Sequence, residues 1–140
     1  METTTRVELA TAILAAIDAN DFDAIRSSYV ADCELVGPGV VLRSPDEVVG
    51  WVKVFTDAFP DLRHDVLATV DDGETVVAEI RASGTHTGPM ASPGGDIPPT
   101  GKRFQVDYVD VWRFRDGKIA SDHVYFDMFA FLTQLGLLAG

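Results

Sequence analysis

Between Leu62 and Asp127 the sequence passes through four stretches in which apolar and polar residues alternate: LRHDVLATV, ETVVAEIRASGTHTG, KRFQVDYVDVWRF and KIASDHVYFD. A period of two is the pattern of strands that bury one face, and the breaks between the stretches (DDG, a Gly/Pro-rich loop, RDG) carry turn residues. Four consecutive strands of this kind make an antiparallel meander. What precedes them is helical. Val7, Ala10, Ile13, Leu14 and Ile17 recur at helical spacing in TRVELATAILAAIDAND, and DFDAIRSSYV continues as a short second helix after Asp21. A third helix is predicted over SPDEVVGWVKVFTDAFPD, where Ser44 caps, Pro45 occupies the first turn, Glu47 completes a capping box and Pro60 ends the helix. A strand around CELVG separates the second and third helices, and MFAFLTQLGLLAG supplies a short apolar C-terminal helix that covers one end of the sheet. This order predicts an α+β fold in which helices pack on one side of a curved antiparallel sheet, forming a cone with a mouth.

The chain has 140 residues, 46% of them hydrophobic, which suits a single domain over 1–140 with one core. Its apolar runs stop well short of the roughly 20 residues of a membrane span, and METTTRVELA lacks the basic-then-apolar order of a signal peptide, so a cytoplasmic location and no membrane partner are expected. A formal net charge of -11 repels phosphate backbones, and the lysines and arginines form no stripe, which argues against a nucleic-acid partner. Cys33 is the one cysteine and reads as a small buried hydrophobe. The histidines lack metal-ligand spacing and no glycine-rich phosphate loop joins a strand to a helix, so neither a metal nor a cofactor is expected.

The stretch YVDVWRFRDGKIASDHVYFD holds the chemistry. In its first strand Phe104, Val106, Tyr108, Asp110 and Trp112 share one face, so Asp110 is an acid on an aromatic surface. Its cross-strand neighbour depends on the turn. A two-residue Asp-Gly loop pairs Arg115 with Lys118 and sets Asp110 against His123. A three-residue loop pairs Phe114 with Lys118 and sets Asp110 against Asp122 and Tyr108 against Val124.

GTHTG, IPPTGKRF, RDGKI, YFD and QLG together resemble the SnoaL-like polyketide cyclases of the nuclear transport factor 2-like superfamily, and the helical start and FPDL extend the likeness over nearly the whole chain. The resemblance implies a cone-shaped α+β barrel with an active-site cavity inside it. It also implies the three-residue loop, with Tyr108, Asp110, Asp122 and Val124 pointing inward. The family's acid/base aspartate lies three residues before the aspartate that ends the last strand, a position held here by Val124. Asp110 matches a position where such cyclases carry an inward polar partner. In the ketosteroid isomerases of the same superfamily a neutral aspartate precedes an aromatic-Arg-aromatic run, and DVWRF places Asp110 there.

The expected catalytic set is therefore Asp110 with Asp122, His86 and Tyr108. His86 enters because it continues the face of Val76, Ala78, Ile80 and Ala82 towards the cavity beside the Gly/Pro loop, which is read as a flap. Trp51, Phe55, His64, Trp112 and Val124 are the expected substrate-binding residues. The expected function is a cofactor-free cyclase or isomerase acting on a hydrophobic polyketide-type small molecule by acid–base chemistry. The alternatives are a cyclase that works by holding a reactive chain in shape, or a non-catalytic small-ligand-binding dimer. A homodimer is expected through the sheet's outer face, where Val109, Val111, Ile119, His123 and Tyr125 would form an apolar patch.

Overall fold

The caps written into the sequence set the helices. In the computed structural model, which describes residues 5–138, they are α1 (Arg6–Asp18), α2 (Phe22–Ser27), α3 (Pro45–Ala58) and α4 (Met128–Gln134). Residues 1–4 and 139–140 of the expected domain lie outside the described residues. Thr5, Asp21, Ser44 and Asp127 each accept a hydrogen bond from a backbone N–H of the first turn of their helix, a contact worth about 1 kcal/mol apiece. The capping box at α3 differs slightly from expectation, since Glu47 reaches past Ser44 to the N–H of Arg43 at 2.7 Å. Phe59 caps the end of α3, immediately before Pro60.

The strands are β1 (Tyr29–Gly37), β2 (Val40–Leu42), β3 (Arg63–Asp71), β4 (Thr75–Thr85), β5 (Arg103–Arg115) and β6 (Lys118–Tyr125), in the order β2-β1-β6-β5-β4-β3. The run β3 to β6 is the expected antiparallel meander. One departure is that β1 joins β6 in parallel, so the sheet is mixed. The long connection from β1 through α3 and the meander makes this pairing possible. The helices lie against the concave face. One core cluster, which includes Leu14, Ile25, Val48, Ile80 and Trp112, walls the cone; a second, centred on Phe59, Phe104 and Phe131, closes one end with rings edge to face at 4.7–5.8 Å.

The β5–β6 hairpin follows neither register open to the sequence. Asp116 and Gly117 both have positive φ, at 55° and 75°, and form a two-residue loop between the paired Arg115 and Lys118. That rules out the three-residue loop. Beyond Phe114 and Ile119 a bulge shifts the ladder by one residue, so Arg113 pairs with Ser121, Trp112 with Asp122, Val111 with His123 and Asp110 with Val124. Asp110 thus faces neither His123 nor Asp122 directly. Because a one-residue shift reverses which face each later side chain takes, the bulge still turns Asp122 and Val124 inward, as expected, by a different route. The two-residue loop also corrects Ile119: paired with Phe114 ahead of the bulge, it is buried in the core cluster rather than placed on the outer face.

Candidate active site

Inside the cone lies a cavity of about 110 Å³, walled mainly by aliphatic and aromatic side chains. Trp51 and Phe55, one turn apart on α3, line it as an edge-to-face pair with ring centroids 5.2 Å apart. Tyr108 and Trp112 line it from β5, Val124 from β6 and His64 from β3, so all five expected substrate-binding residues reach the cavity.

Its polar groups come from the inward faces of β5 and β6. Asp110 and Asp122 are each only 4% exposed. Tyr29, at the start of β1, donates its hydroxyl to Asp122 Oδ2 at 2.9 Å. Asp122 is deep because the bulge draws it level with Trp112. Trp112 Nε1 and Asp122 Oδ1 are buried on this wall and make no hydrogen bond among the described residues.

Burial pushes the Asp110 carboxyl well above the usual carboxylate range, and the neighbouring Asp122 charge raises it further. Burial raises Asp122 as well, but hydrogen bonding from the Asp110 carboxyl and from the hydroxyl of Tyr29 partly offsets this by favouring its ionised form. The two titrate as a pair, and Asp110 is the member that holds its proton to higher pH. Burial, followed by the charges of Asp110 and Asp122, likewise drives the Tyr108 hydroxyl upward, so it stays a neutral donor beside Asp110. An apolar cavity thus presents a protonated carboxylic acid, a phenol and an ionisable carboxyl within one small region. Such a set can protonate or polarise a carbonyl oxygen and stabilise the enol that results.

These inward acids on a helix-backed curved sheet are reached through a chain that matches, over residues 7–135, the family model described as SnoaL-like polyketide cyclase. The chain belongs to the SnoaL-like polyketide cyclase family. No curated protein matches it. Among solved structures, this SnoaL-like chain is similar to AclR, a candidate hydroxylase from Streptomyces galilaeus, at 27% identity and TM-score 0.80, covering 96% of this chain and 87% of that one. It is also similar to IdmH, a candidate polyketide cyclase from Streptomyces antibioticus, at 25% identity and TM-score 0.76, covering 93% and 97% of the two chains. A protein from Catenulispora acidiphila with a ketosteroid isomerase-like fold, 22% identical at TM-score 0.78 over 96% of each chain, shares the fold alone.

His86 of this SnoaL-like chain stands apart from the cavity. It is fully buried against Phe59, with ring centroids 5.4 Å apart. Its Nδ1 accepts from the Thr100 backbone N–H at 3.2 Å and lies 3.0 Å from the Thr100 hydroxyl; its backbone bonds Gly101 and Lys102. Burial lowers its pKa and keeps the ring neutral. It anchors the loop between β4 and β5, and that loop lines no part of the cavity. The loop packs instead on the end of α3, where Gly88 N–H donates to Ala58 at 3.1 Å and a Cβ on Gly88 would lie 1.9 Å from the Asp57 carbonyl oxygen. The expected inward path of His86 fails because the Gly/Pro loop folds back on the helix rather than over the mouth.

Two side chains that hold the cavity's polar groups escaped the sequence. Tyr29 follows the second helix with no periodic mark of its own. Asp18 ends α1 and holds His64: Oδ1 lies 2.6 Å from His64 Nδ1 and Oδ2 accepts the His64 backbone N–H at 2.9 Å. One signal was present, since Asp18 falls four residues after Leu14 and so continues the apolar stripe of α1 with a carboxylate.

Proposed function

We propose that the protein is a cyclase or isomerase that needs no cofactor and acts on a hydrophobic, oxygenated small molecule of polyketide type by acid–base chemistry in the cone. The observation that carries this reading is the Asp110–Asp122 pair, two carboxyls buried in an apolar cavity that no lysine or arginine among the described residues lines. A stable core gains nothing from such a pair, whereas a proton-transfer site needs a carboxylic acid that stays protonated near neutrality. Val124 replaces the family's expected acid, and Asp110, directly across the ladder from it, supplies the proton from the neighbouring strand. The cavity is on the scale of an engineered apolar pocket of about 150 Å³ that accommodates benzene, so it receives one ring of the substrate.

The test is enolisation of a simple ketone. 1-Indanone, incubated with the protein in D2O, should lose its α-proton NMR signal faster than in buffer. Asp110→Asn should reduce that rate by about 100-fold or more, the scale of general acid–base catalysis. If the wild-type protein binds the ketone, read by tryptophan fluorescence, yet leaves its exchange at the buffer rate, the shape-holding cyclase becomes the better account.

A further inference from the structure

The contact between Asp18 and His64 joins the last residue of α1 to the second residue of β3. Both carboxylate oxygens are used, one on the ring and one on the backbone of the same histidine, so the imidazole is held in position as well as in orientation. A carboxylate only accepts, so Nδ1 carries a proton, and in the neutral ring Nε2 is the nitrogen with the lone pair. Among the described residues nothing bonds Nε2. The ring lines the cavity, its side chain only 8% exposed, and meets the Tyr108 ring edge-on at 6.1 Å. The charged neighbours on β3, Arg63 and Asp65, pair with each other at 3.0 Å.

The contact with Asp18 leaves Nε2 as the ring nitrogen available to a molecule bound in the cavity. We propose that His64 is the general base of this site and Asp18 its positioning residue, with Asp110 as the acid. This rests on the acid–base reading above and adds the partner which that reading lacks. In the step, His64 Nε2 takes the proton from the carbon α to a substrate carbonyl. The C–H electron pair becomes the enol double bond, the carbonyl π pair moves to oxygen, and the Asp110 proton goes to that oxygen. The products are the enol, an imidazolium paired with Asp18, and an Asp110 carboxylate. For a conjugated substrate, delivery of the His64 proton to the far carbon of the dienol, with the enol O–H proton returning to Asp110, completes an isomerisation; attack of the enol carbon on a second carbonyl closes a ring, the new alkoxide taking the His64 proton as the enol O–H returns its proton to Asp110.

Asp18→Asn separates positioning from mere support. The asparagine oxygen can keep the backbone contact while its amide donates to Nδ1, which moves the ring proton to Nε2 and removes the base from the cavity. Nitrogen-15 NMR of the wild-type protein should show His64 protonated at Nδ1, and the Asp18→Asn spectrum should show it at Nε2. With 1-indanone in D2O, Asp18→Asn and His64→Gln should each lower kcat for α-proton exchange by about 100-fold with little change in KM. A wild-type His64 protonated at Nε2 would overturn the proposal whether or not the variants fold. Full exchange by Asp18→Asn or His64→Gln, with exchange lost in Asp110→Asn, would also overturn it while leaving the acid–base reading intact. No exchange by the wild-type protein would defeat both.

Discussion

A carboxyl that is 4% exposed and sits beside a second buried carboxyl works against the folded state whenever it ionises, and the direction of its titration says when. Asp110 holds its proton to higher pH folded than unfolded, so the stability it contributes is complete below about pH 4, the unfolded value, and is lost as pH rises through the elevated folded value. Asp110→Asn is neutral throughout. It should therefore melt higher than the wild-type protein at pH 8, and the difference should shrink to nothing near pH 4. The same change should lower exchange activity, so stability and activity move in opposite directions, as they do where a site holds strain for function. Asp107→Asn is the control. Asp107 lies on the outer face of the same strand, paired with Arg81 at 2.8 Å and half-exposed, and its loss should alter neither quantity appreciably. A lower melting temperature for Asp110→Asn at pH 8 would show that burial of this acid is satisfied rather than strained.

At the scale of elements, what the sequence disclosed and what it hid divide by range. Helix caps, the meander and the shared face of Tyr108 and Asp110 were legible because each rests on neighbours within a turn or on period-two alternation. The bulge after Ile119, the parallel union of β1 with β6, and the Asp18–His64 contact were not, because each depends on a partner brought in by the whole fold. His86 illustrates the cost: its face follows the alternation up to Ala82, but beyond the strand the Gly/Pro loop decides its surroundings. That loop is held by His86 and Thr100 on one side and by the Met90–Ile97 bridge on the other. His86→Ala should free it, so that limited proteolysis cuts between residues 88 and 100 several-fold faster than in the wild-type protein, with the exchange of 1-indanone unchanged. Loss of exchange with an uncut loop would instead return His86 to the catalytic set.

Across the whole molecule the helices cover only the concave face of the sheet, and the convex face carries one row that crosses all six strands. Val70 pairs with Val77, Val77 with Val111, Val111 with His123, His123 with Val36 and Val36 with Val41. In the next row Tyr125 stands 60% exposed beside Val109. Ile119 has left this patch, but the row that replaces it is longer and consists of β-branched side chains apart from the histidine. A continuous apolar stripe on a chain of net charge -11 is best covered by a second copy of itself, because the stripe is self-complementary under a two-fold axis while the charges would otherwise keep the copies apart. Sedimentation at micromolar concentration is therefore expected to give twice the 15.1 kDa of one chain. Added salt should tighten the association by screening like charges. Val111→Glu, which places a carboxylate at the centre of the row and points away from the cavity, should yield a monomer that still exchanges 1-indanone. A wild-type monomer at these concentrations, in low and high salt alike, would exclude this face as a self-interface.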